Sequence, residues 1–320
     1  MHKTLLINTI KFLITGGLIV WLLRSGKLEL ALLADLTDYP LAILLASILQ
    51  LLNYLLVSWR WKIIISSRSA VLMPLMQILK INWIGQFFSS VLPGSVSGDL
   101  VKLFYIQSID KNLSKKFVFA SILIDRVMGL SGLILLVGIS SLLFSSHILS
   151  SAPNMEDLLK INYLLSCAVI SGLLLFFFCH SVVEKLLLLA KEKTPFTGIF
   201  DKLITLFSDL VSIKRRMVKA VILSIFIQLI AVLIFWSLIA PFVSEKMDFI
   251  QALAFIPIGL MTLALPVAPS GLGVGHAIFQ KLFEFSGINN GASLFNLYFV
   301  VTLVLNLLGA IPYLLFKKKN

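Results

Sequence analysis

Six stretches of about twenty apolar residues leave this chain one kind of solvent. They run roughly over 4–23, 40–59, 117–145, 161–180, 219–243 and 292–316. At 1.5 Å per residue, each is long enough as a helix to cross ~30 Å of hydrocarbon. With 59% hydrophobic residues, 13% charged residues and a mean hydropathy of +1.01, the 320-residue chain carries about half the usual charge. That excludes a disordered chain and nearly all soluble enzymes. Cys167 and Cys179 fall on one span, so neither a disulfide framework nor a Cys-rich metal site is expected. The stretch at the N-terminus has a signal-like start, but Lys11 interrupts it, Arg24 closes it and no small-x-small cleavage site follows. It reads as an uncleaved first span.

Two further apolar regions, 75–105 and 249–280, are broken in the middle. The first contains Leu92-Pro93-Gly94-Ser95-Val96-Ser97-Gly98-Asp99. The second contains Leu265-Pro266-Val267-Ala268-Pro269-Ser270-Gly271-Leu272-Gly273-Val274-Gly275-His276. Proline removes a backbone donor and glycine frees the backbone, so neither region is expected to form a continuous helix. Unwound backbone at membrane depth is tolerated only where it is buried in protein or lines a wet cavity. Both regions therefore read as helix–break–helix hairpins that re-enter the membrane.

The net charge of +12 has two readings. A basic excess often marks nucleic-acid binding, but in a membrane protein Lys and Arg collect on cytoplasmic loops. Alternating the six spans puts Lys3, the basic residues of 60–116 and 181–219, and Lys317, Lys318 and Lys319 on one side. The other side holds only Arg24, Lys27, Lys160, Lys246 and Lys281, with Lys11 and Arg126 inside spans. This sorting puts both termini in the cytoplasm and removes the reason to expect a nucleic-acid partner. It also makes the first hairpin enter from the cytoplasmic face and the second from the outer face. Aligned on Gly94 and Gly271, both breaks read Gly-x-x-x-Gly followed by a polar residue, Asp99 or His276. Such a pair of interrupted segments is the pattern of an inverted-repeat transporter. Close helix packing at Gly-x-x-x-Gly is the alternative.

The expectation is an all-α polytopic integral membrane protein, with about six full spans and two Gly/Pro-broken re-entrant hairpins in pseudo-inverted repeats. Residues 1–320 form a single transmembrane domain. Within it, 181–218 is a cytoplasmic amphipathic linker: Ile199, Phe200, Leu203, Ile204, Phe207, Leu210 and Val211 recur at helical spacing opposite a polar face, ahead of Lys214-Arg215-Arg216. It reads as lying on anionic head groups, or as a connector packed on the bundle.

Asp125 and Arg126 lie about two turns into a span, where ionisable groups are costly unless paired or hydrated. Asp99 is a candidate partner for Arg126. A guanidinium also matches a lipid phosphate through its forked donors. Arg126 is thus expected to hold a head-group phosphate while Asp125 or Asp99 orients it. A structural ion pair tying hairpin to span is the alternative. The residues assigned to a substrate path are Pro93, Gly94, Gly98, Asp99, Asp125, Arg126, Pro269, Gly271, Gly273 and His276. His276 reads either as a proton-coupled group or as a satisfied polar core residue. No metal spacing, Gly-x-Ser-x-Gly or P-loop occurs, so no cofactor, no metal and no enzymatic activity are expected.

The segment Leu92–Lys102 resembles a Pro-Gly-Gly-x-Gly-Gly-Asp-x-x-Arg signature. Together with Asp125-Arg126 and Pro269-Ser270-Gly271-Leu272-Gly273-Val274, it makes the chain similar, over roughly 5–316, to the flippase-like membrane domain of lysylphosphatidylglycerol synthases (multiple peptide resistance factors) and its stand-alone relatives. Ser95 and Ser97 depart from the usual glycines, and His276 stands where Glu is common. The resemblance implies a lipid translocator in the cytoplasmic (inner) membrane, moving a phospholipid, an aminoacylated one included, or a lipid-linked glycan of polyprenyl or glycolipid type. No aminoacyl-transferase domain follows the last span, so lysyl transfer by this chain alone is not expected. Two other readings stay open. One is a non-transporting accessory subunit beside a lipid-modifying enzyme or a polysaccharide-synthesis glycosyltransferase. The other is a membrane-embedded transferase.

Overall fold

The computed structural model describes residues 31–91, 97–151, 155–193, 197–264 and 274–315. The expected first span over 4–23, with Lys11, lies outside them. So do the two breaks themselves, with Pro93, Gly94, Pro269, Gly271 and Gly273. The described residues are helical throughout, joined by short turns. The helices are α1 (Ala31–Leu36), α2 (Pro40–Ile65), α3 (Leu75–Val91), α4 (Ser97–Ile106), α5 (Lys115–Ser151), α6 (Glu156–Phe178) and α7 (His180–Lys193). They continue with α8 (Thr197–Ser212), α9 (Lys214–Val243), α10 (Phe249–Ala264), α11 (Val274–Glu284), α12 (Gly291–Leu307) and α13 (Ala310–Leu315).

Five segments are long and apolar enough to cross a membrane: α2, α5, α6, α9 and the continuous stretch of α12 and α13. They coincide with five of the six expected spans. The outward side chains of a soluble bundle would be polar. Here Leu41, Leu142 and Leu164 are more than two-thirds exposed, an arrangement with no cost when the solvent is lipid. Several ends follow from local chemistry. Pro40 opens α2, where its missing N–H is not needed. Glu156 and Asp157 sit in the first turn of α6, where they complement the helix dipole. Gly287 takes φ +70 just past α11, a backbone that closes the helix and disfavours any residue with a Cβ.

The expected span 40–59 is too short. The helix continues through Arg60 and Lys62 to Ile65, because the apolar run resumes as Ile63-Ile64-Ile65. Arg60 therefore belongs inside the span rather than on a cytoplasmic loop, and it is buried. Lys102, counted with the charges of the cytoplasmic side although inside the expected hairpin 75–105, lies in a hairpin leg. The linker 181–218 resolves into α7 and α8, joined by an ion pair between Lys191 and Asp201 (2.6 Å). Phe207 of α8 meets Phe176 of α6 edge-on, so this amphipathic helix touches the bundle. Lys214, Arg215 and Arg216 already form the first turn of α9.

Helices α3 and α4 are the legs of the first hairpin and α10 and α11 those of the second. The long helix α5, kinked at Phe144, shows how they are arranged. At its N-terminal end, Phe117, Val118 and Ile122 pack with Ile78 and Ile81 of α3 and Ile106 of α4. The loops there are tied together: the buried Asp110 accepts from the Ser69 hydroxyl (2.9 Å) and the Ala70 N–H (3.1 Å). At the C-terminal end of α5, His147 meets Asp248 (2.5 Å), immediately before α10. The mouths of the two hairpins thus lie at opposite ends of the bundle, as inverted repeats require.

Candidate functional site

Glycines decide how closely the first hairpin folds on itself. A Cβ on Gly98 would collide with the Gly85 carbonyl and the Ser89 hydroxyl, so the α3 and α4 backbones touch where those glycines meet. Ser97 donates to the Phe88 carbonyl (3.2 Å) across the same join. This places Asp99 in the first turn of α4, buried, close to the break. A carboxylate there complements the helix dipole.

Arg126 of α5 reaches Asp99, Nη2 to Oδ2 at 2.6 Å, and Lys102 meets the other oxygen at 3.4 Å. Asp125 does not orient Arg126. Its carboxylate takes the fork of Arg60, from Nε at 2.7 Å and from Nη2 at 3.0 Å. Arg60 completes its contacts by donating from Nη1 to Ser224 of α9 (3.1 Å). Neighbouring residues 125 and 126 diverge because they project about 100° apart on one helix. The site therefore holds two guanidinium–carboxylate pairs, each joining a different element to α5, with Lys102 as a second cation on Asp99. Arg60 lies close to that helix: a Cβ on Gly129 would stand 3.4 Å from its guanidinium, at ordinary contact distance.

These groups line one cavity of about 390 Å³. Its polar wall is Arg60, Gln86, Ser89, Ser90, Asp99, Lys102, Asp125 and Arg126. Its apolar wall comes from Phe295, Tyr298, Phe299 and Leu303 of α12, with Leu263 at the end of α10. Residues next to the breaks of both hairpins thus border the same space. An adjoining chamber of about 330 Å³ shares Arg60, Gln86, Tyr298, Thr302 and Asn306 with the first. Apart from Arg60, its polar lining consists of amides and hydroxyls, including Gln50, Asn53, Asn82 and Gln228. Arg60 stands at the junction of the two chambers.

A hydrogen-bond chain fixes the wall opposite α5. Tyr54 donates to Asn306 Oδ1 (2.5 Å), and Asn306 donates to Ser90 Oγ (2.9 Å). Trp83 donates to the Leu305 carbonyl (2.9 Å). Side chains tied in this way are positioned by their partners and set the cavity's shape.

Among the residues expected to line a substrate path, Gly98, Asp99, Asp125 and Arg126 come together. His276 is not among the residues lining this cavity, but its ring packs nearly at right angles to that of Phe295, which is, with centroids 4.9 Å apart. Arg60 and Lys102 were missed as site residues, since both were counted only among the charges of the cytoplasmic side. The signal for Arg60 was its place between Trp59 and Trp61 in an apolar run that continues beyond it. For Lys102 the signal was its spacing of one helical turn from Asp99.

No curated protein matches this chain, and no solved structure does. A family model does match, over residues 8–310: the lysylphosphatidylglycerol synthase TM region. That covers nearly the whole described bundle, including both hairpins and both guanidinium–carboxylate pairs. This multi-pass membrane protein belongs to the lysylphosphatidylglycerol synthase transmembrane-region family.

Proposed function

We propose that the chain moves a phosphate-bearing lipid between the leaflets of the membrane, with the head group passing through the charged cavity. One observation carries this reading: five ionisable side chains converge within the bundle on a space bordered by both broken hairpins. Charges at this depth are costly. A purely structural ion pair has no need of a cavity large enough for a phosphate and its ester substituents. Arg126 has the forked donors that a phosphate requires. Its side chain is 37% exposed, against 5% for that of Arg60, so Arg126 is the accessible guanidinium and Arg60 the anchored one. The aromatic wall and the amide-lined chamber suit the glycerol or sugar part of a head group.

The uneven distribution of Lys and Arg remains after Arg60 and Lys102 are moved inward. It supports cytoplasmic termini, with the first hairpin opening to the cytoplasm.

The test is transport by purified protein in liposomes carrying fluorescent phosphate lipids, read by chemical quenching of one leaflet. The wild-type chain should exchange label between leaflets. Arg126→Gln should slow exchange at least about tenfold, the equivalent of one lost charged hydrogen bond. Undiminished exchange by folded Arg126→Gln would overturn the role of Arg126. No exchange of any phosphate lipid by the wild-type chain would favour the accessory-subunit reading.

A further inference from the structure

The cavity lining is not electrically balanced. Among the described residues that border it, Arg60, Lys102 and Arg126 face two carboxylates, Asp99 and Asp125. Arg60 and Asp125 close on each other through two hydrogen bonds and carry no net formal charge as a pair. What remains is one carboxylate shared by two cations, Arg126 at 2.6 Å and Lys102 at 3.4 Å from Asp99. The break sequences 92–96 and 265–273 contain no ionisable side chain.

Lys102 is held in this arrangement by its surroundings. A Cβ on Gly85 would come within 2.5 Å of Lys102 Cε, so the stem of the lysine occupies the space that glycine leaves. Its ammonium stands 5.8 Å from the centre of the Trp61 ring, and its side chain is 12% exposed. Keeping an extra cation at this depth is unfavourable unless an anion completes the set. Both carboxylates are already engaged by guanidinium groups, so among the described residues the lining offers an incoming ammonium no further acid.

We infer that the cavity selects a head group with a single net negative charge at a phosphodiester, bridged by Lys102 and Arg126 on either side of Asp99. Head groups that add an ammonium are disfavoured. The zwitterion carries its own neutralising charge, and the aminoacylated phospholipid brings a surplus cation toward two others. This rests on the translocation reading insofar as it places a lipid head group in the cavity, and it adds which charge class enters. A glycerophospholipid and a glycosyl polyprenyl phosphodiester share the chemistry.

The experiment is lipid retention by the purified full chain, read by native mass spectrometry from mixed micelles. The mixture contains equal amounts of phosphatidylglycerol, a glycosyl polyprenyl phosphodiester, phosphatidylcholine and lysylphosphatidylglycerol. At least one of the two monoanions should be retained about tenfold or more over both other classes, since like-charge contact costs several kcal/mol. Which monoanion prevails identifies the source. Lys102→Gln, which cancels the excess charge, should bring that ratio close to one. Lys80→Gln, a charge removed outside the cavity, should leave it intact. Equal retention of the zwitterion or the cationic lipid by the wild-type chain would overturn the inference. So would an undiminished preference in folded Lys102→Gln. If Lys102→Gln fails to fold, Asp99→Asn serves instead: it raises the excess and should strengthen the preference for anions, and an unchanged or weaker preference refutes the assignment. Selective retention without transfer between leaflets would refute translocation and leave the charge selection standing. Transfer without charge preference would do the reverse.

Discussion

The two broken hairpins share a topology and differ in what holds them. The first is bound by charge and backbone contact. Gly85 and Gly98 bring its legs together, Asp99 faces Arg126 and Lys102, and the supporting Arg60–Asp125 pair lies beside it. The second is bound by rings. Gly259 and Gly275 each leave room for a phenyl ring, Phe279 and Phe295. Those two rings stack with centroids 5.1 Å apart, and Phe235 of α9 stacks on Phe279 at 4.7 Å. Inverted repeats supply two symmetric walls, but symmetry of the backbone does not impose symmetry of chemistry. Here one repeat supplies charged groups to the cavity, and the other an apolar frame of packed rings. His276 illustrates the difference: the position that corresponds to Asp99 belongs to the aromatic set.

The contrast is open to direct attack, and the largest effect should come from the charged side. Asp125→Leu leaves the Arg60 guanidinium buried without its carboxylate, which typically costs about 3–5 kcal/mol. Thermal unfolding in detergent should show this loss. Adding Arg60→Met should recover much of it, because an apolar pair can replace a buried ion pair. If the double variant is no more stable than Asp125→Leu, charge is not what binds this region.

Phe279→Ala should come next, at roughly 3 kcal/mol, since it empties the centre of the ring stack. It should leave the head-group charge preference unchanged in the retention experiment. A loss of charge preference would erase the division of labour between the hairpins.

Glycine substitutions sharpen the comparison at smaller magnitude. Gly98→Ala drives a Cβ into the Gly85 carbonyl, which is backbone and cannot turn aside. A cost of about 1–3 kcal/mol follows. Gly275→Ala meets the Phe295 ring and the Leu263 side chain, which can shift, so its cost should be smaller. The reverse order in a melting experiment would contradict the assignment of backbone contact to the first hairpin.

The smallest effect concerns pH at the two mouths. Burial alone pushes the Asp110 carboxyl up. The Ser69 hydroxyl and the backbone N–H groups of Asn112 and Ala70 outweigh it and hold Asp110 below the usual carboxylate range. A lowered value means the stabilisation is fully present above the ordinary carboxylate value and is lost as pH falls through the lowered one. Asp248 at the other mouth is also lowered: burial pushes it up, and the Gln251 N–H and His147 offset this. Its side chain is 46% exposed, so its contribution should be the weaker of the two. Ser69→Ala should cost about 1 kcal/mol at neutral pH and less below the carboxylate range. A cost that does not change with pH would sever Asp110 from the first mouth.

Much of this architecture was written in the hydrophobic pattern. Five spans and both interruptions follow from length, Pro and Gly, and the opposed hairpins follow from sorting Lys and Arg. The charged site was half legible. Asp125 and Arg126 stand out because no other ionisable residue lies between Lys116 and His147. Arg60 and Lys102 did not, because a basic residue near the end of an apolar run looks the same whether it faces water or a cavity. What separates the two cases is the partner in space: Asp125, 65 positions from Arg60, and the Gly85 gap beneath Lys102. Neither is a local property of the sequence. The ring stack was equally hidden, since Phe235, Phe279 and Phe295 come from three helices that an apolar profile does not distinguish.

The ties from Trp83 and Ser90 to Leu305 and Asn306 span 222 and 216 positions of the chain. At ordinary synthesis speeds, that separation is roughly ten to forty seconds. For that interval the first hairpin exists in the bilayer without its last wall. Both partners of its ion pair with α5, Asp99 and Arg126, are made early, and the cavity they border closes only when the final helix arrives. The charged half of the molecule is therefore the older half of every copy made, and the C-terminal helix is the piece that completes it.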